Sequence, residues 1–187
     1  MRIMIILAVA ACLAGCNPYM AAVTAVSQTY GATTDERSIG TQISDDELEA
    51  KIKTALVESP VSGTSGISVY VRQGVVVLTG VVPRGSDAGR AAVRIAQNTS
   101  GVVQVETYFV DSQPSSVDDL EIEGKVKAAF VEDSKLLEGR VDVAVYGGHV
   151  VLIGVAGSEA AIQRYIDDAR SVPGVVSVRN YIQLPSA

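Results

Sequence analysis

Gly74-Val75-Val76-Val77-Leu78-Thr79-Gly80 returns as Gly148-His149-Val150-Val151-Leu152-Ile153-Gly154, 74 residues further along the chain. Ile52-Lys53-Thr54-Ala55-Leu56 returns at the same distance as Val126-Lys127-Ala128-Ala129-Phe130. Gly101-Val102-Val103-Gln104-Val105 matches Gly174-Val175-Val176-Ser177-Val178 at a distance of 73, so one position has been lost in between. Two copies of one small unit explain all three matches. Each residue can therefore be weighed against its twin.

Working outward, Ile67-Ser68-Val69-Tyr70-Val71 alternates as a half-buried strand should, Gln73-Gly74 supplies a turn, and Val75 to Val82 runs back. This is a β-hairpin. Val141 to Val145, the turn at Gly147-Gly148 and Val150 to Val155 make the second hairpin. Ahead of the first hairpin, Ser44-Asp45-Asp46-Glu47 has the form of a capping box and predicts a helix start at Ser44. Leu48, Ile52, Ala55 and Leu56 lie on one face at the helical period, and Ile122, Val126, Ala129 and Phe130 repeat that face behind Ser116. A second helix is predicted near 87–97 and again near 159–170, each breaking at Gly101 or Pro173-Gly174. Last strands are predicted over 102–110 and 175–184. Each unit reads α-β-β-α-β, an α+β fold with a three-stranded mixed sheet packed against two helices. The expected domains are 44–111 and 117–187, joined at 112–116 by a linker short enough to favour domains in contact.

The N-terminus addresses the compartment. Arg2 precedes an apolar run, Ile3 to Leu13, that is too short to span a bilayer, and Leu13-Ala14-Gly15-Cys16 follows. This pattern predicts a lipoprotein signal peptide over 1–15, with Cys16 diacylated after cleavage. Cys12 leaves with the signal, which excludes disulfides and thiolate metal sites. Two or more acyl chains make a stable anchor. Asn17 in place of Asp follows the sorting rule for the outer membrane. The residues from Cys16 to Ile43 read as a lipidated N-terminus and stalk, of which Asp35 to Gln42 is the most particular part. A formal charge of −6 speaks against nucleic acid as a partner.

Raw materials for catalysis are few. His149 is the single histidine, its twin is Val75, and a lone His without Cys or carboxylate partners does not hold zinc. Asp45-Asp46 and Asp118-Asp119 are expected in first helical turns, where negative charge suits the dipole, and Asp167-Asp168 is expected to be solvated late in a helix. No cofactor motif is present, and the chain is read as a non-enzyme. A small-ligand role would require a concave polar site that the sequence does not display.

The α-β-β-α-β order, the Gly-x-Val-x-Leu-x-Gly pattern at Gly74 with its variant at Gly148, and the Gly-Val-x-x-Val close at Gly101 and Gly174 resemble the BON domain. Two such units behind a lipobox, together with Asp35-Glu36-Arg37-Ser38-Ile39-Gly40-Thr41-Gln42, resemble the dual-BON-domain outer-membrane lipoproteins of the DolP type. The resemblance implies a periplasm-facing, lipid-anchored protein of the outer membrane that maintains envelope integrity and is enriched at the division site. It also implies docking on anionic phospholipid through the first helix of the second domain, with Leu120, Lys125, Lys127 and Val131 as the lipid-binding candidates. Where relatives can carry an aromatic in that helix, this chain has Glu121. An alternative role is a periplasmic protein-binding scaffold for envelope assembly or peptidoglycan-remodelling machinery, with an envelope protein as partner.

Overall fold

The structure, a computed structural model, describes residues 39–111, 116–133, 136 and 139–186. The first unit runs α1 (Ile39–Val57), a 3-10 turn at Thr64–Gly66, β1 (Ser68–Arg72), β2 (Val75–Val81), α2 (Ala88–Gln97) and β3 (Gln104–Val110). The second runs α3 (Ser116–Glu132), β4 (Arg140–Tyr146), β5 (His149–Val155), α4 (Glu159–Ser171) and β6 (Ser177–Gln183). Each sheet is three-stranded and mixed: the hairpin pairs β1 with β2 and β4 with β5 antiparallel, and the last strand returns parallel to β2 or β5. A parallel return needs a crossover, which α2 and α4 provide.

Period-two alternation divides each sheet into faces. In the first domain Val69, Val71, Val76 and Leu78 pack with Leu48, Ile52 and Leu56 of α1 and with the alanines of α2. In the second, Val143, Val145, Val150 and Leu152 meet Ile122, Val126, Phe130 and Tyr165. Phe130 and Tyr165 stand edge to face with ring centroids 4.8 Å apart, and the Tyr165 hydroxyl donates to the Leu136 carbonyl at 2.7 Å.

The repeated glycine motif has two separate jobs. Gly74 and Gly148 sit at φ 75° and 78°, as the second residue of tight hairpin turns. Gly154 lies where a Cβ would come within 2.1 Å of the Arg140 carbonyl oxygen, so the strands could not close around any side chain.

Four expectations are corrected. α1 begins at Ile39 and runs through Ser44, so the Ser44–Glu47 box does not start the helix. Asp45 is therefore not in a first turn; it is buried, and its carboxylate accepts from the amides of Gln73 at 2.7 Å and Gly74 at 2.9 Å. Its twin Asp119 accepts from Gly147 at 2.8 Å and Gly148 at 2.9 Å. These carboxylates bolt each hairpin turn to the first helix of its domain. Asp168 is not simply solvated either, because one of its carboxylate oxygens is buried without a hydrogen-bond partner. The last strands start two residues later than expected, because Val102 and Val175 still belong to the turn and pack into the cores.

The outer faces of the two sheets are not left to solvent. Val77 of the first domain packs with Ala144, Val151 and Ile153 of the second, ringed by Tyr70, Tyr108, Tyr146 and Tyr181. The Tyr146 hydroxyl donates to Thr79 Oγ1 at 2.8 Å, and the Tyr181 hydroxyl donates to the Thr107 carbonyl at 3.0 Å. Arg72 pairs with Asp142 across the junction. Exchanging the copies maps Arg72 onto Tyr146 and Asp142 onto Ser68, and Tyr146 also hydrogen-bonds Ser68. The domains thus meet about an approximate two-fold, as an isologous dimer would. Because the end of β1 meets the start of β4, the two hairpin turns point to opposite poles.

Candidate functional site

α3 lies on the outside of the second domain. Residues of an α-helix advance by about 100° each, so Leu120, Lys127 and Val131 share a stripe about 40° wide while Lys125 lies about 140° round from Leu120. All four avoid the Ile122–Val126–Phe130 core face. Leu120 is 70% and Val131 40% exposed, so the stripe presents an apolar side chain to solvent at each end. Between them Gly124 has no neighbour within 4 Å of a would-be Cβ, so the stripe is an open ridge about 16 Å long.

The lysines are not isolated charges. Lys125 Nζ lies 2.6 Å from Glu121, and Lys127 Nζ 2.6 Å from Glu123, each one helical turn away. The hydrogen bond from Lys125, with its charge, holds the Glu121 carboxyl below the ordinary carboxylate range. The face is therefore apolar at its ends and locally neutral between them. It can lay two aliphatic side chains into an apolar medium while the lysine stems reach outward.

The twin helix differs where it matters. Leu120 corresponds to Asp46, whereas Val131 corresponds to Val57, itself 69% exposed. Only α3 carries apolar residues at both ends of the ridge. The structure adds Val176, which is 68% exposed beside the Gly148 turn that Asp119 holds, at the same pole as Leu120. Its twin Val103 is 78% exposed beside Gly74, at the opposite pole. The repeated Gly-Val-Val was visible in sequence, but reading it as strand concealed that its second valine faces out.

The remaining candidates sit elsewhere. Cys16 and residues 35–38 lie outside the described residues, and 39–42 form the first turn of α1. His149 Nδ1 lies 2.8 Å from Ser177 Oγ, joining the first residues of two neighbouring strands. Among the described residues no group of three or more His, Cys, Asp or Glu is placed to hold a metal ion, and no helix is long and apolar enough to cross a membrane.

Comparison with known proteins agrees with this architecture. The BON domain family model matches residues 44–110 and again residues 118–186. Osmotically-inducible protein Y of Escherichia coli is 32% identical over 148 residues, covering 76% of this chain and 73% of its own length. A 21 kDa hemolysin of Actinobacillus pleuropneumoniae is 29% identical over 157 residues, covering 80% of each chain. Outer membrane lipoprotein DolP of Haemophilus influenzae is 29% identical over 151 residues, covering 78% of this chain and 77% of its own. Two family matches coincide with the two α-β-β-α-β units, and the chain belongs to the BON domain family, with two BON domains in tandem.

Proposed function

We propose that this chain is a non-enzymatic envelope protein, anchored to the outer membrane through acylated Cys16 and facing the periplasm. In this reading it supports envelope integrity, with the division site as a place of action, by laying α3 of its second domain on anionic phospholipid. The observation that carries the proposal is the ridge from Leu120 to Val131, 70% and 40% exposed at its ends, on a helix whose twin has Asp46 in place of Leu120. Insertion of a leucine side chain into an apolar phase is worth about 1.5–3 kcal/mol. Lys125 and Lys127 are paired with Glu121 and Glu123 in the free protein, and in this reading they turn from those partners to the anionic headgroups when the ridge inserts.

The test is co-sedimentation of residues 39–187 with phosphatidylethanolamine vesicles, with and without phosphatidylglycerol. Binding is expected with the anionic lipid and is expected to fall at least about tenfold in Leu120→Asp. Unchanged pelleting of Leu120→Asp would sink the reading. A second reading, docking on an envelope protein, draws on the neutralisation of both lysines by Glu121 and Glu123. It requires a crosslinked protein partner in cells that survives charge reversal of Lys125 and Lys127.

A further inference from the structure

On the other side of the domain junction a cleft of about 390 Å³ opens between α1, β1 and the start of β4. Its size and its place between domains suit a small ligand. Leu56, Ile67 and Val69 form its floor, and Val57 stands on the rim. Three cations line it, Lys53, Arg72 and Arg140, against two carboxylates, Glu49, which pairs with Lys53 at 2.6 Å, and Asp142.

Arg72 is the unusual member. Its side chain is only 3% exposed, Nη1 donates to the Val71 carbonyl at 2.6 Å, Nη2 meets Asp142, and buried Nε has no partner. An under-satisfied buried guanidinium is destabilising relative to a neutral group that could fill the same place. The second copy supplies that neutral group: the twin of Arg72 is Tyr146, whose hydroxyl is satisfied by Thr79. The twin of Arg140 is Gly66. The two-fold exchange therefore places Tyr146 and Gly66 at the opposite groove, and the fold itself does not call for the two arginines. Asp142 is 30% exposed, so it is the solvent-facing member of the pair and the group that an incoming anion would have to displace from Arg72.

We infer that this cleft binds a small amphiphile with an oxyanion head, phosphate or carboxylate, seated against Arg72, Arg140 and Lys53 with its apolar part along Val57 and Leu56. Arginine forks match either oxyanion, and the apolar floor excludes a bare ion as the preferred ligand. This site lies in the first domain and at the junction, and does not depend on the α3 face.

The test uses the full chain in zwitterionic nanodiscs, titrated with octyl phosphate, octanoate, octyl glucoside and inorganic phosphate below micellar concentrations. At least one of the two anionic amphiphiles is expected to bind, about tenfold more weakly to Lys53→Gln or Arg140→Gln. Asp142→Asn, which removes the competing carboxylate, is expected to bind more tightly, a gain that a purely structural role for the pair would not produce. Leu120→Asp is expected to leave this binding unchanged, which separates its failure from that of the membrane reading. A diazirine-bearing octyl phosphate should label Val57 or Leu56. Equal affinity for octyl glucoside, equal affinity for inorganic phosphate, no loss in Lys53→Gln and Arg140→Gln, or labelling confined to other elements would each overturn the inference.

Discussion

Arg72 at the end of β1 and Asp142 near the start of β4 are 70 residues apart in sequence and form an ion pair that crosses the domain junction. The arginine is almost wholly buried and the aspartate is not, so the two ends of the pair carry unequal penalties. Breaking a buried pair from one side leaves a charge without its partner, at a cost of about 3–5 kcal/mol. Asp142→Ala is expected near the lower end of that range in urea denaturation, because solvent reaches the aspartate side. The double change Arg72→Met with Asp142→Leu is expected to recover most of the loss, and the resulting cycle measures the coupling.

Asp45 and Asp119 predict domain-specific effects. Each accepts two amide hydrogen bonds from its own hairpin turn, and hydrogen bonds to a charged group are worth about 1.5–3 kcal/mol. Asp119→Ala should speed hydrogen exchange at Gly147 and Gly148 while leaving Gln73 and Gly74 protected. Asp45→Ala should show the converse pattern.

Two glycines should respond to alanine with opposite sign. Gly154→Ala forces a Cβ to within 2.1 Å of a backbone oxygen and is expected to destabilise by at least about 3 kcal/mol, the upper end of ordinary overpacking. Gly124→Ala sits inside α3 in open space and is expected to stabilise by about 1 kcal/mol through helix propensity. Thermal denaturation of both variants checks the pair.

Asp168 sets a pH dependence. Burial, and then the neighbouring charge of Asp133, push its carboxyl above the ordinary carboxylate range, partly countered by Arg164. The folded state then holds this proton more tightly than the unfolded state, so the contribution of Asp168 becomes more favourable as pH falls through the folded value. Asp168→Asn is expected to raise the melting temperature at neutral pH, with the advantage shrinking as pH is lowered towards 4. A gap between the variants that does not change with pH would refute the assignment.

Helices, hairpins and crossovers were legible in sequence because each rests on local periodicity, and every core position on them was stated twice. Ile52 and Val126, or Val76 and Val150, are twins at 0% exposure. Helix starts were less legible, since Ser44 looks like a cap whether or not the helix has already begun, and a capping box has no means of reporting the turn before it. Asp45 was misplaced for that reason, whereas Asp119 does lie in the first turn of its helix; for neither does anything local reveal the pair of hairpin amides 28 and 29 residues away. On the candidate face, the helical wheel identified the non-core side of α3, but the exposure of Val176 beside it depended on where β6 begins.

By itself the sequence determined that there are two units of the same α-β-β-α-β order, which face of the first helix and of the hairpin strands fills each core, and where the hairpin turns fall, because hydrophobic periodicity and glycine conformation act over a few residues. The burial of Tyr165 and Leu136 came only with the fold. Only the tertiary structure decided what covers the second face of each sheet. The alternation at Ser68-Val69-Tyr70-Val71 is the same whether Tyr70 faces water or another sheet, and its partners come from the other copy. That packing sets Arg72 against Asp142, opens the cleft beside them and sends the two hairpin turns to opposite poles. These consequences follow from how two folded surfaces fit together, which no local pattern encodes.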